Sequence, residues 1–355
     1  MIRILGDMLE GGGQILRTSI ALAALLGKEI EIDNIRGKRS PPGLKAQHIT
    51  GVKAVATVSG AIVKGLTIGS TTLQFTPSKR IGGDFRFDIG TAGSISLVLQ
   101  ALMPAVAFSQ ESSQITVIGG TDVRWSPTID YMRLVILPIL RKMGYMATID
   151  VERRGHYPKG GGLINFKNTS VDSLKPLVLM DRGTIMYVDG RSHCFNLPCH
   201  VAERQVSAAS QVLNKNYLGD IQIDVECNPH KTDPRHSPGS GISLSAVTSS
   251  DTRIGAGAIG EKGKPAEKVG KEAADQLMED LESGMALDRH MADIIIPYLA
   301  VAKGLSTVTV SRLTLHTLTN IKVTEMLTNV SFNIDGELGF PAIISVEGIG
   351  FTRST

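Results

Sequence analysis

One histidine stands where chemistry on phosphorus is possible. His316-Thr-Leu-Thr-Asn320 follows an alternating, strand-like run from Ser306 to Thr314 and leads into an amphipathic, helix-like run. That order puts an imidazole at a helix N-terminus. Free N–H groups and the helix dipole attract phosphate there, and the same positive end disfavours imidazolium, so His316 would stay neutral and nucleophilic. A lone histidine in such a place more often packs and caps locally. The phosphate-attacking reading therefore depends on what else the chain brings to it.

Four other groups of residues have types and spacing suited to chemistry. Glu10-Gly-Gly-Gly-Gln14-Ile-Leu-Arg17 is a glycine turn opening a helix. Its backbone N–H groups can approach an anion, Glu10 can hold a divalent metal, and Arg17 lies about one turn beyond Gln14. It lacks the Lys-Ser/Thr ending of a P-loop. Arg36-Gly-Lys-Arg39-Ser-Pro-Pro-Gly-Leu-Lys45 sets four cations on a stiff turn after a strand, a phosphate-binding rim or a solvated basic loop, with Gln47 and His48 starting the next helix. His156-Tyr-Pro-Lys159-Gly-Gly-Gly162 reads equally as a substrate loop or a hairpin connection. Finally, His193-Cys194, Cys199-His200, Cys227, His230 and His236 are zinc-type ligands, but their spacing fits none of the usual zinc patterns.

These residues must be held by repeated elements. A helix over Gln14 to Leu26, a strand over Lys28 to Ile35 and a helix over Gly43 to Ser59 form one helix-strand-helix series. The order returns as Gly93 to Phe108, Gln114 to Ile118 and Pro127 to Met143, and again as Leu287 to Ala302, Ser306 to Val310 and Thr317 to Leu327. Short strands at Thr72 to Phe75, Gly162 to Phe166 and Ala342 to Val346 would complete three small sheets, each backed by two helices. The marker residues Ile32, Val117 and Val308 lie 85 and then 191 residues apart. The excess of about a hundred residues predicts an inserted domain. The fold class is thus α/β (α+β), with residues 1–181 and 285–355 as the repeated part and 182–284 as a small inserted α/β domain. In the insert we expect strands at Thr184 to Val188, Ile221 to Glu226 and Ile242 to Val247, and helices at His200 to Asn214 and Lys264 to Leu281.

Composition sets limits on function. The 355 residues suffice for two cores, and a net charge of +3 does not announce a nucleic-acid protein. Three cysteines that cannot all pair, in no secreted-type framework, point to a reducing cytoplasm. Arg3, Asp7 and Glu10 interrupt any signal-peptide pattern. The charge-free stretch from Ile89 to Gln110 carries glycines, serines and Pro104, which predicts a helix buried in protein rather than a membrane span.

Taken in order, Glu10-Gly-Gly-Gly-Gln-Ile-Leu-Arg17, Arg36-Gly-x-Arg39-x3-Gly-Leu-x-x-Gln47-His48, Gly155-x-Tyr157-Pro-x-Gly-Gly-Gly162 and His316-x-Leu-Thr-Asn320 resemble the RNA 3′-terminal phosphate cyclase family. The resemblance runs over essentially the whole chain. It implies repeated β/α units related to enolpyruvyl-shikimate-phosphate synthase, carrying a small inserted domain. It further implies an ATP-dependent ligase-class enzyme acting on RNA 3′-phosphate ends, with AMP carried on His316 before transfer to the RNA and closure of a 2′,3′-cyclic phosphate. Glu10 matches a metal ligand for Mg or Mn; Arg17, Arg36 and Arg39 match phosphate contacts; and Gln47, His48 and Gln100 match polar site residues. Tyr131 stands where an aromatic residue packs against adenine. Arg289, His290, Met291, Ala292 and Asp293 match a nucleotide-binding helix, with Ile294 where glutamine is common and His290 where tyrosine can stand. Two other readings follow from the same features: a non-catalytic relative that binds RNA and protein in ribosome assembly, which lacks the nucleophilic histidine, and an enolpyruvyl transferase, suggested by architecture alone.

Overall fold

The computed structural model describes residues 1–216, 219–228 and 236–353. The first unit runs β1 (Ile2–Leu5), α1 (Gly13–Leu26), β2 (Ile30–Asp33), α2 (Ala46–Ser59), β3 (Ile62–Lys64) and β4 (Leu73–Thr76). The second runs β5 (Gly83–Asp88), α3 (Ile95–Ala107), β6 (Ser113–Gly119), α4 (Ile129–Tyr131), a π-helical turn (Met132–Ile136), α5 (Leu137–Lys142), β7 (Ala147–Arg153) and β8 (Gly162–Asn168). After β9 (Val178–Leu179) the chain builds β10 (Ile185–Phe195), α6 (His200–Asn216), β11 (Asp220–Asn228), β12 (Gly239–Thr248), β13 (Arg253–Ile259) and α7 (Ala266–Glu282). It then completes α8 (Arg289–Val301), β14 (Lys303–Val310), α9 (Leu315–Thr328), β15 (Asn333–Gly336) and β16 (Ala342–Ile349).

Among the described residues, three of the four sheets share one topology. Their orders are β1-β2-β4-β3, β5-β6-β8-β7 and β9-β14-β16-β15, and in each the first pair is parallel and the other two antiparallel. The alternation seen in sequence explains the single buried face. In β2, Ile30 and Ile32 are buried while Glu31 and Asp33 are not, and in β6 Ser113, Ile115, Val117 and Gly119 point inward. Paired helices cover those faces, and α1 and α9 end on left-handed caps, Gly27 and Asn329. One hydrophobic core joins all three units.

The fourth sheet, β11-β10-β12-β13, falls between β9 and α8, the place of the first strand-to-helix connection in the other units. It has its own core, in which Val188, Ile242, Leu244 and Ile254 meet Leu213, Val269 and Leu277 from α6 and α7. Two sequence expectations change here. The strand expected to end at Val188 continues to Phe195, because its alternation is replaced by pairing on both edges; the strand β13, rich in Gly and Ala, was not expected. The helix expected over Pro127 to Met143 is broken by the π turn. The apolar stretch after Ile89 becomes α3, buried among helices. Among the described residues no helix is long and apolar enough to cross a membrane.

Candidate active site

The start of α9 is held by a carboxylate from another helix. Thr314 caps α9, its hydroxyl accepting from the Thr317 N–H at 3.0 Å. Asp293 of α8 accepts from the hydroxyls of both Thr314 and Thr317 at 2.6 Å. Burial pushes the Asp293 carboxyl up, and those two hydroxyls oppose the shift. Asn320 extends the link, donating to the Asp293 carbonyl at 2.5 Å and accepting from Thr18 of α1 at 2.6 Å. His316 is thus presented on a braced first turn, with its ring exposed.

The imidazole is also oriented. His316 Nδ1 bonds to Oε1 of Gln14, in the first turn of α1. A carboxamide oxygen only accepts, so in this amide orientation Nδ1 carries the proton and Nε2 keeps the lone pair. The glycine turn beneath it is closed by Glu10, whose Oε2 accepts from the Gly12 N–H at 2.7 Å. The N-cap of α1 is Gly12, so no side chain caps the helix. A Cβ on Gly13 would lie 2.5 Å from His48 Nε2 and 3.2 Å from Arg17 Nη1; glycine is what lets both groups approach this turn.

His48 sits in the first turn of α2, where its Nδ1 accepts from the Lys45 N–H at 3.1 Å. Burial, reinforced by Arg17, Arg36 and Lys45, pulls its pKa down to about 3. Burial likewise lowers Arg17 to about 10, against the pull of Glu10. Gln47 accepts from the Ser94 N–H at 3.2 Å, tying α2 to the head of α3. Arg17, Gln47 and His48 line one small crevice with Leu16 and Leu97. Gln100 lies further along α3, half-buried.

The expected cationic rim divides in two. Arg36 is 7% exposed and donates Nη1 to the carbonyls of Pro41 at 3.0 Å and Gly43 at 2.8 Å, so it braces the loop from inside. Arg39 is half-exposed and pairs with Glu10. Glu10 offers a hard oxygen donor, and Mg-like ions are commonly held by one or two carboxylates with phosphates and water completing the shell, so the donor set fits such an ion.

A second group lies at the head of α8. Asp288 caps that helix, accepting from the N–H groups of His290 and Met291 at 2.9 Å. Tyr131 donates its hydroxyl to Asp288 at 2.6 Å and is only 4% exposed, with the His290 ring edge-on above it. Arg289 is engaged by Asp280 at 3.0 Å and Glu279 at 2.9 Å, while Met291 and Ala292 are buried. The zinc-type residues do not form one set: Cys199 and Cys227 are joined as a disulfide, Cys194 is buried, and His230 lies outside the described residues.

Sequence reasoning left Gln14, Thr314, Thr317 and Asp288 without roles. Gln14 was visible in its motif, but its partner is 302 residues away. The capping threonines had a detectable signal in the Thr-x-x-Thr spacing just before the helix.

A profile of the family described as RNA 3′-terminal phosphate cyclase matches residues 8–334. The chain belongs to the RNA 3′-terminal phosphate cyclase family. The protein of that name from Ignicoccus hospitalis is 48% identical over 354 residues, covering 99% of this chain and 100% of the relative. Those from Desulfurococcus amylolyticus, at 47% over 353 residues, and Hyperthermus butylicus, at 49% over 360, also match essentially end to end. The cyclase-family match spans every site residue described above, from Glu10 to Asn320.

Proposed function

We propose that this protein is an ATP-dependent RNA 3′-terminal phosphate cyclase working through AMP carried on His316. The observation that carries the reading is the contact between His316 and Gln14 at the head of α9, which leaves Nε2 as the free lone pair beside a turn rich in N–H groups and cations. In the first step Nε2 attacks the α-phosphorus of ATP, forming an N–P bond as the bond to pyrophosphate breaks. An oxygen of the RNA 3′-phosphate then displaces the imidazole from the AMP phosphorus. The neighbouring 2′-hydroxyl, losing its proton, attacks the 3′-phosphorus and expels AMP, closing the five-membered ring.

Arg17, Arg39 and His48 line the phosphate path in this reading, Arg36 shapes the loop that carries Arg39, and Gln47 and Gln100 add polar contacts. Asp293 positions His316, and His290 over Tyr131 offers a surface for the adenine ring. A divalent ion held through Glu10 would neutralise charge on the phosphates as it shifts between oxygens. We assign residues 182–284 as an inserted domain within the cyclase. The enzyme is placed in the cytoplasm with its RNA ends.

The test is covalent labelling with α-labelled ATP followed by a 3′-phosphorylated RNA. Wild type should take up label and pass it on, and a 2′-deoxy 3′-phosphate end should accept AMP yet fail to cyclise. Labelling that persists in His316→Ala would remove the assignment of the nucleophile. Neither adenylated nor cyclic RNA from a ribose end would move the protein to the assembly-factor reading.

A further inference from the structure

Away from His316, three metal-ligand side chains meet in the interior. Asp122 lies just beyond β6, His156 in the connection from β7 to β8, and His193 near the end of β10. They are 3%, 5% and 2% exposed, and one ligand atom from each lies within 4.8 Å of the others. Among the described residues Asp122 Oδ1, His156 Nε2 and His193 Nδ1 have no hydrogen-bond partner, and His193 Nε2 has none closer than Asp122 Oδ2, which it faces at 3.5 Å. Buried polar atoms are nearly always satisfied, so such a convergence of orphans needs an explanation.

We propose that Asp122, His156 and His193 form a binding site for one zinc-class divalent metal ion, which fastens the 185–282 sheet to the second repeated unit.

The groups behind the three side chains are those a metal site needs. His156 also hydrogen-bonds the Asp122 main chain; with Nε2 unpartnered, that bond falls to Nδ1. A ligating histidine typically donates its other N–H to a carbonyl or carboxylate in this way, which fixes the tautomer and aims the lone pair. Asp122 is oriented through its other oxygen, Oδ2, which accepts from Thr121 at 2.7 Å and faces Arg154 at 3.4 Å. The unpartnered Oδ1 is thereby left for an ion.

Charge and space agree. Three carboxylates, Asp122, Asp130 and Glu226, surround the buried Arg154 guanidinium; Asp130 is also paired with Arg133 at 3.1 Å and Glu226 with Arg191 at 3.4 Å. Of these three carboxylates, Asp122 is the one that shares Arg154 without a second arginine among the described residues. On β12 a Cβ at Gly239 would lie 2.1 Å from the His156 ring, and one at Gly241 would lie 2.9 Å from His193. Two glycines make the space in which the imidazoles sit. Two nitrogens and one carboxylate oxygen form a borderline donor set, suited to zinc rather than to magnesium or calcium, and three protein ligands leave a fourth position open. Ligand atoms around tetrahedral zinc are roughly 3.3–3.5 Å apart, so the rings would close inward on binding.

The experiment is metal titration of the intact protein after chelation, with Zn²⁺ or Co²⁺ as the probe. One equivalent should bind, remain in Glu10→Gln, and disappear in His156→Phe and His193→Asn; Co²⁺ should give the intense visible absorption of a four-coordinate nitrogen and oxygen site. Chelation should lower the melting temperature of wild type but not of His156→Phe. Should the variants fail to fold, imidazole NMR signals of wild type decide the matter, because Zn²⁺ must shift two buried rings. No binding by wild type, binding retained in both histidine variants, or unshifted rings would overturn the proposal.

Discussion

Two histidine clusters in this protein are built on opposite plans. His316 is exposed on the first turn of α9, its ring oriented by Gln14. His156 and His193 are buried and stacked at 5.3 Å, beside Asp122 and the buried Arg154. The first arrangement leaves a lone pair facing solvent and anions, which suits attack on phosphate. The second has buried ligand atoms without hydrogen-bond partners facing inward beside the Asp122 carboxylate, which suits a cation. The same side chain thus acquires different chemistry from its burial and from the groups that meet it.

If that contrast is right, stability and activity should separate. His316→Asn should abolish covalent adenylation, the largest effect expected, while an exposed site changes folding stability by only about 0.5 kcal/mol; labelling and urea unfolding of the same sample check both halves. Arg154→Met should do the reverse. It strands Asp122, Asp130 and Glu226 without their buried cation, at a cost of roughly 3–5 kcal/mol in unfolding free energy. Similar stability in Arg154→Met and wild type would erase the distinction between the clusters.

Within the loop from Arg36 to Lys45 the two arginines sharpen the comparison further. Arg39→Ala should slow adenylation by the equivalent of about 1.5–3 kcal/mol with little change in melting, since its side chain is half-exposed. Arg36→Ala should lower the melting temperature as well, because it orphans the Pro41 and Gly43 carbonyls, at about 1–3 kcal/mol. Matching effects in the two variants would show one shared role.

The last effect is a slope with pH. His48 has a folded pKa of about 3, below its unfolded value near 6.5, so between those values the unfolded chain binds the extra proton. Its contribution is complete above about pH 6.5 and is lost as the pH falls toward 3, at up to about 1.4 kcal/mol per pH unit. Urea midpoints measured across that range should show this slope in wild type and a shallower one in His48→Gln.

The sequence by itself determined the repeated elements and the position of His316 at a helix head, because hydrophobic periodicity and capping are local. Alternation in Glu-Ile-Glu-Ile-Asp marks β2 whatever it pairs with, and the glycine turn marks the start of α1. Partnerships across the chain were decided only by tertiary structure. Gln14 meets His316 across 302 residues, Arg36 turns inward while Arg39 turns outward, and Asp122, His156 and His193 converge from three separate segments. The reason is physical: a residue's type limits which bonds it can make, but its burial and its neighbours' charges exist only once distant segments have packed.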